Sequence, residues 1–136
     1  EHLEGIDLSA KMLAEARKKS VYNNLIKQDI IDYLLNESLN FDYYISTDVF
    51  VYIGDLSDVF RLIKSRNKTV GKLAFSTEHY DGEGYFLEPS GRYSHSKKYI
   101  EDLCEKFGYE LSHFETHPLR KEKNQYIRGG VYLLNF

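Results

Sequence analysis

Three short apolar stretches, Gly5-Ile6-Asp7-Leu8, Leu25-Ile26-Lys27-Gln28 and residues 41–47, each run out at an aspartate: Asp7, Asp29 and Asp48. Helical periodicity or a helix start lies between and after them. A chain that alternates period-2 and period-3.6 segments in this way builds parallel strands joined by crossover helices. Ser9 can cap a helix with Met12, Leu13 and Ala16 on one face, and Asp29 stands at an N-cap position before Ile31, Leu34 and Leu35. Leu56, Val59, Phe60 and Ile63 recur at helical spacing after the Gly54-Asp55 break. Residues 72–77 read as a strand, residues 79–95 as a long Gly- and Tyr-rich loop, and Ser96 as the cap of a helix closed by Gly108.

The end of the chain is different. Residues 109–116 and 126–136 are β-type, and residues 117–125 between them are too few and too polar for a crossover helix, so the two strands are expected to be antiparallel. The expected fold is α/β, with a mostly parallel sheet and an antiparallel C-terminal hairpin.

At 136 residues, 42% hydrophobic and 29% charged, the chain suits one domain, residues 1–136. A net charge of −3 and a pI near 6.0 argue against nucleic acid and anionic lipid as partners. No apolar run approaches the ~20 residues that span a bilayer, and no signal peptide is seen, so a cytoplasmic location is expected. Cys104 is the one cysteine, set in an amphipathic pattern with Ile100, Leu103 and Phe107, and reads as a buried structural thiol.

Ligands of open parallel sheets bind beyond the carboxyl ends of the strands, which singles out Asp7, Asp29, Asp48, Glu78 and His79. A carboxylate at Asp7 can accept both hydroxyls of a ribose; the competing reading is a helix cap beside Ser9. Asp29 can accept from an exocyclic amine while the Ile30 N–H meets a ring nitrogen, or it is a plain N-cap. Asp48 opens Val49-Phe50-Val51-Tyr52-Ile53, where carboxylate and aromatic faces would stabilise positive charge, although core packing explains the aliphatic positions equally. Arg92, His95 and Lys97 cluster with tyrosines in residues 79–99 and could hold an anionic or hydrogen-bonding group, the alternative being a solvated loop. His79 is a candidate general base, or a surface histidine past a strand. No spacing of His, Cys and acids resembles a metal site.

The string G-I-D-L-S-A-K-M-L-A-E-A-R resembles the second-strand motif of class I S-adenosylmethionine-dependent methyltransferases. With Y-N-N-L-I-K-Q-D-I, F-D-Y-Y-I-S-T-D-V-F-V-Y-I-G-D-L and G-R-Y-S-H-S-K-K-Y-I following in order, the chain is similar to bacterial methyltransferases associated with tetratricopeptide repeats. The resemblance implies a Rossmann-like methyltransferase sheet in which Asp7 binds the ribose, Leu8 packs on adenine, Asp29 and Ile30 read the adenine edge, and Asp48 and Val49 line the methionine side. It implies S-adenosylmethionine as cofactor, methyl transfer to a small-molecule or protein acceptor, and Tyr52, Arg92 and His95 on the acceptor side. The first strand, its helix and its glycine-rich loop would precede Gly5 and are absent from these residues. The chain therefore reads as an N-terminally truncated methyltransferase domain whose exposed sheet edges could pair with a second copy. A degenerate module kept for binding or assembly is the competing expectation.

Overall fold

The computed structural model describes residues 1–136, and the chain falls into two compact units, Glu1–Leu39 and Asn40–Phe136. In the first unit, β1 (Glu4–Asp7) and β2 (Asn24–Lys27) pair in parallel, with Gly5 opposite Leu25 and Ile6 opposite Ile26. The crossover is α1 (Ala10–Lys18), whose N-cap is Ser9, its hydroxyl accepting the Met12 N–H at 3.3 Å. Gly5 is required where it stands. A Cβ there would come within 2.8 Å of the Leu25 side chain and 3.0 Å of the Tyr22 ring.

After β2, α2 (Ile30–Leu34) starts at the Asp29 cap and buries Tyr33 and Leu34. The Tyr33 hydroxyl donates to Glu4 Oε2 at 2.6 Å, and this bond, with help from His2 and Asn24, holds the Glu4 carboxyl down at about 2.

In the second unit β4 (Lys72–His79) is the spine of a six-stranded sheet. β3 (Tyr43–Ser46) pairs with its first half in parallel, Tyr43 opposite Lys72 and Ser46 opposite Phe75. β6 (Tyr93–His95) pairs in parallel with its end, Glu78 opposite Ser94 and His79 opposite His95. β8 (Gln125–Asn135) runs antiparallel along the whole of the other side, from Lys72–Asn135 to Glu78–Gly129. β5 (Tyr85–Leu87) and β7 (Glu110–Glu122) extend the sheet, giving the order β5-β6-β4-β8-β7 with β3 also on β4.

Phe75 is the centre of the packing. Its ring stacks on Tyr132 at 4.9 Å and meets Phe50 at 5.0 Å and Phe60 at 5.9 Å. α3 (Ser57–Arg66) buries Val59, Phe60, Leu62 and Ile63, and α4 (Lys97–Phe107) buries Ile100, Leu103 and Cys104. The Ser96 hydroxyl accepts the Tyr99 N–H at 3.0 Å to start α4, and Gly108, at φ +78°, ends it. Burial pushes the Cys104 thiol up to about 11, so it is a packing group and no thiolate nucleophile.

Two expectations are corrected. Residues 79–95 are not one long loop, because the antiparallel β5–β6 hairpin lies within them. Residues 117–125 are not a connection either. β7 and β8 run on through them to a two-residue turn at Lys123 and Asn124, both at positive φ, the geometry of the tight hairpin turn. Three-residue strands, and a largely charged strand interrupted by a bulge at Leu119, carry no apolar period-2 signal.

The Tyr33–Glu4 bond sets an acid limit. The depressed Glu4 carboxyl contributes stability that is full above 4.5 and is lost as pH falls toward 2. Tyr33→Phe should raise the Glu4 pKa, read by carbon NMR of the carboxyl, and flatten the acid limb of a stability-against-pH curve. An unmoved Glu4 titration would show that the phenol does not hold the carboxylate.

Candidate cofactor and acceptor site

Because β1 and β2 are parallel, Asp7 and Asp29 stand at the same, carboxyl edge of their pair. Asp7 Oδ1 accepts the Ser9 N–H at 2.7 Å, so Ser9 caps the helix and Asp7 fixes the turn that presents it. Asp29 is a true N-cap, its Oδ1 accepting from Ile31 N at 2.8 Å and Asp32 N at 3.4 Å. Ile30, first in α2, has no intrahelical acceptor for its N–H. Leu8 is 64% exposed, an apolar surface directly after Asp7.

The candidate residues of the second unit stand around the last residues of β4. Asp48 lies two residues past β3 at φ +56°, and its N–H donates to Ser76 Oγ at 3.1 Å. Its carboxylate accepts from Arg120 Nη1 at 3.1 Å, while Arg120 Nη2 donates to the buried Glu78. Of the segment that follows, Phe50 and Val51 go into the core, whereas Val49 and Tyr52 stay at the surface. Arg92 Nη2 donates to the Tyr52 hydroxyl at 3.1 Å, the guanidinium lies 5.5 Å from the Tyr52 ring centre, and its Nη1 is 4.0 Å from Glu78. Asp48, Val49, Tyr52 and Arg92 are thus joined in one cluster, with Glu78 and Arg120 behind it.

Both histidines differ from their expected settings. The His79 side chain is only 8% exposed; Nε2 faces Asp81 Oδ1 at 3.1 Å, the ring lies against Phe114, and Nδ1 is buried without a partner. It is not a surface histidine. His95 is fully buried. Its Nε2 is 3.0 Å from the carbonyls of both Ile53 and Gly54, which can only accept, so Nε2 carries the proton. Its Nδ1 then accepts from Thr77 Oγ1 at 2.6 Å. With both nitrogens committed, His95 ties the Ile53-Gly54 turn to β4 and has no ring nitrogen left for an acceptor.

The family model described as a methyltransferase domain matches residues 1–75, more than half of the chain. The chain belongs to the methyltransferase domain family. No curated protein matches it. Among solved structures, it is similar to a SAM-dependent methyltransferase from Methanosarcina mazei (13% identity, TM-score 0.68, 97% of this chain and 80% of that one). It is also similar to an S-adenosylmethionine dependent methyltransferase from Mesorhizobium loti (18% identity, TM-score 0.74, 99% and 80%). A third is the 1,6-didemethyltoxoflavin-N1-methyltransferase of Burkholderia thailandensis, with bound 1,6-didemethyltoxoflavin and S-adenosylhomocysteine (11% identity, TM-score 0.74, 97% and 60%). At these identities the likeness is one of fold.

The matched residues include Asp7, Asp29 and Asp48. Arg120 carries no mark in the sequence, because it lies in the charged stretch of residues 117–125. The signal that could have found it is Lys123-Asn124, since asparagine tolerates the left-handed turn of a hairpin.

Burial pushes the His95 pKa below 6.5, so the folded state keeps the ring neutral while the unfolded chain protonates it. Between those two values the unfolded state binds more protons, and stability must fall as pH drops through 6.5. His95→Gln should lower stability at neutral pH and remove that slope, followed by urea denaturation across the range. An unchanged slope in the variant would show that another group titrates.

Proposed function

We infer that this domain binds S-adenosylmethionine through Asp7, Leu8, Asp29, Ile30, Asp48 and Val49 and transfers its methyl group to a small-molecule or protein acceptor met by Tyr52 and Arg92. The observation that carries the reading is the family match across residues 1–75, which takes in all three strand-end aspartates.

The local geometry fits the cofactor. Only Oδ1 of Asp7 is used by the protein, on the Ser9 N–H, so Oδ2 can accept from ribose hydroxyls. The exposed Leu8 offers an apolar surface for adenine, and Ile30 offers a helix-first N–H, with Asp29 beside it, for the adenine edge. Asp48 and the exposed Val49 supply a carboxylate and an aliphatic contact for the methionine portion. When bound, the cofactor supplies an electrophilic methyl carbon on a sulfonium.

The residues of the chain then have to hold and orient. Methyl displacement needs alignment of nucleophile and leaving group above all. Tyr52 and Arg92, fastened to each other and backed by Glu78, offer an aromatic face and a fixed cation for the acceptor. Proton removal by His79 requires its Nε2 to give up Asp81, because Nδ1 is buried. That engagement of His79 favours an acceptor whose nucleophile is already deprotonated, and it is also what a binding module without turnover would show.

Calorimetric titration with S-adenosylmethionine and S-adenosylhomocysteine tests the cofactor half. Asp7→Ala should weaken binding by about 1–3 kcal/mol, the cost of unpaired buried hydroxyls, and Asp29→Ala by less because backbone N–H contacts remain. Unchanged affinity in the Asp7 variant would remove the ribose assignment. On the acceptor side, Arg92→Ala should lower turnover and leave cofactor affinity within error; equal loss of both would place Arg92 in the cofactor site or in the fold.

A further inference from the structure

Past its last pair with β4, Glu78 opposite Gly129, the β7–β8 ladder continues as two strands alone, from Pro118 opposite Arg128 to Glu122 opposite Gln125. The register shifts between Pro118 and Arg120, so Leu119 is an inserted residue, and its side chain fills the place that a Cβ on Gly129 would take. A bulge of this kind bends its strand and re-aims the residue that follows. Here that residue is Arg120. Its side chain is 23% exposed, and its fork divides between two carboxylates, Nη1 on Asp48 and Nη2 on Glu78.

We propose that Arg120 is a positioning residue that holds the Asp48 carboxylate in the orientation from which it faces the sulfonium of the cofactor; this rests on the reading of Asp48 given above. The Asp48 side chain is 55% exposed and, left to itself, would sample several rotamers. Its backbone is fixed by the Ser76 hydroxyl, which leaves the carboxylate as the free part. Glu78 is the post to which Arg120 is tied, since its side chain is 6% exposed at the penultimate position of the most buried strand. A planar guanidinium can span two carboxylates at once, whereas a lysine ammonium is a point donor on a flexible stem. Net stability is a weak reason for such a buried pair, because desolvation offsets most of its attraction.

The test separates positioning from charge. By Coulomb's law alone, removing the Arg120 cation near a bound sulfonium would strengthen binding; loss of orientation would weaken it. The chain and its variants Asp48→Asn, Arg120→Gln, Arg120→Lys and the double Asp48→Asn/Arg120→Gln are titrated with S-adenosylmethionine and with S-adenosylhomocysteine, which lacks the sulfonium charge, after thermal melts establish folding. Arg120→Gln should weaken S-adenosylmethionine binding roughly three- to tenfold, the factor that one ordinary net hydrogen-bond contribution sets, and affect the product, which has no sulfonium, less. Arg120→Lys should recover part of the loss, and the double variant should bind no worse than Asp48→Asn.

Arg120→Gln binding S-adenosylmethionine as tightly as the unsubstituted chain, or more tightly, while Asp48→Asn weakens it, overturns the proposal. Should Arg120→Gln fail to fold, full affinity in Arg120→Lys overturns the need for a two-carboxylate fork. Unchanged affinity in Asp48→Asn, with Asp7→Ala still weakened, removes Asp48 from the cofactor site and the proposal with it.

Discussion

The polar end of β4 is the constraint on which the second unit depends. Ser76, Thr77 and Glu78 are all buried, and a buried polar group must find a partner or cost its desolvation. Each partner fixes a different segment. Ser76 receives the N–H of Asp48, Thr77 donates to His95 and through it the Ile53-Gly54 turn, and Glu78 takes Arg120 from the far end of the hairpin. Alternation along the strand sorts these duties by face. Ser76 and Glu78 serve Asp48 and Arg120, while Thr77 continues the side of Phe75. The first half of the strand, Leu73 and Phe75, supplies the aromatic packing that makes the second half rigid enough to act this way.

This arrangement explains why the two histidines are so differently useful. A histidine at a strand end beside a presumed site invites a catalytic role, and His95 has the right neighbourhood for one. Yet its two nitrogens satisfy a hydroxyl and two carbonyls, and removing the ring would leave the buried Thr77 hydroxyl and the half-buried Ile53 and Gly54 carbonyls without that partner. Its energy is spent on holding the turn after Tyr52, and so on where Tyr52 can stand. His79 has one nitrogen on Asp81 and the other sealed behind Phe114, and Asp81 is itself shared with Arg128 of the hairpin.

Local signals were what the sequence conveyed well. Ser9, Asp29 and Ser96 cap their helices as their types demand, Gly108 closes α4 in the left-handed conformation, and the apolar face of α3 is the one its spacing indicates. The antiparallel end of the sheet followed from the shortness and polarity of residues 117–125, although these are strand and a tight turn, and the family followed from ordered motifs. What did not show was anything decided by a partner far along the chain. β5 and β6 are three residues each, too short for periodicity. The outer part of β7–β8 mixes charged residues with Leu119, Tyr126 and Ile127 where it leaves the sheet, and the bulge at Leu119 breaks the alternation. Leu119 looks like an ordinary apolar residue in a charged stretch until the bulge seats it over Gly129.

Arg120 is the extreme case of a role fixed by distant partners. It is 72 positions from Asp48 and 42 from Glu78, so no spacing rule links the three. Arg61, by contrast, makes a cheap local pair with Asp58, three residues away and more than half exposed, of the kind worth ~0.3–0.5 kcal/mol. Arg120 needs a two-stranded arm, a bulge and a glycine to reach its partners. A chain can solvate a lone arginine with none of these, and hydrophobic groups in its place would stabilise the sheet at least as well. The expense of that construction is accounted for by what lies at its end: an aspartate in a left-handed backbone conformation, beside an exposed aliphatic and aromatic pair, whose carboxylate has one place to point.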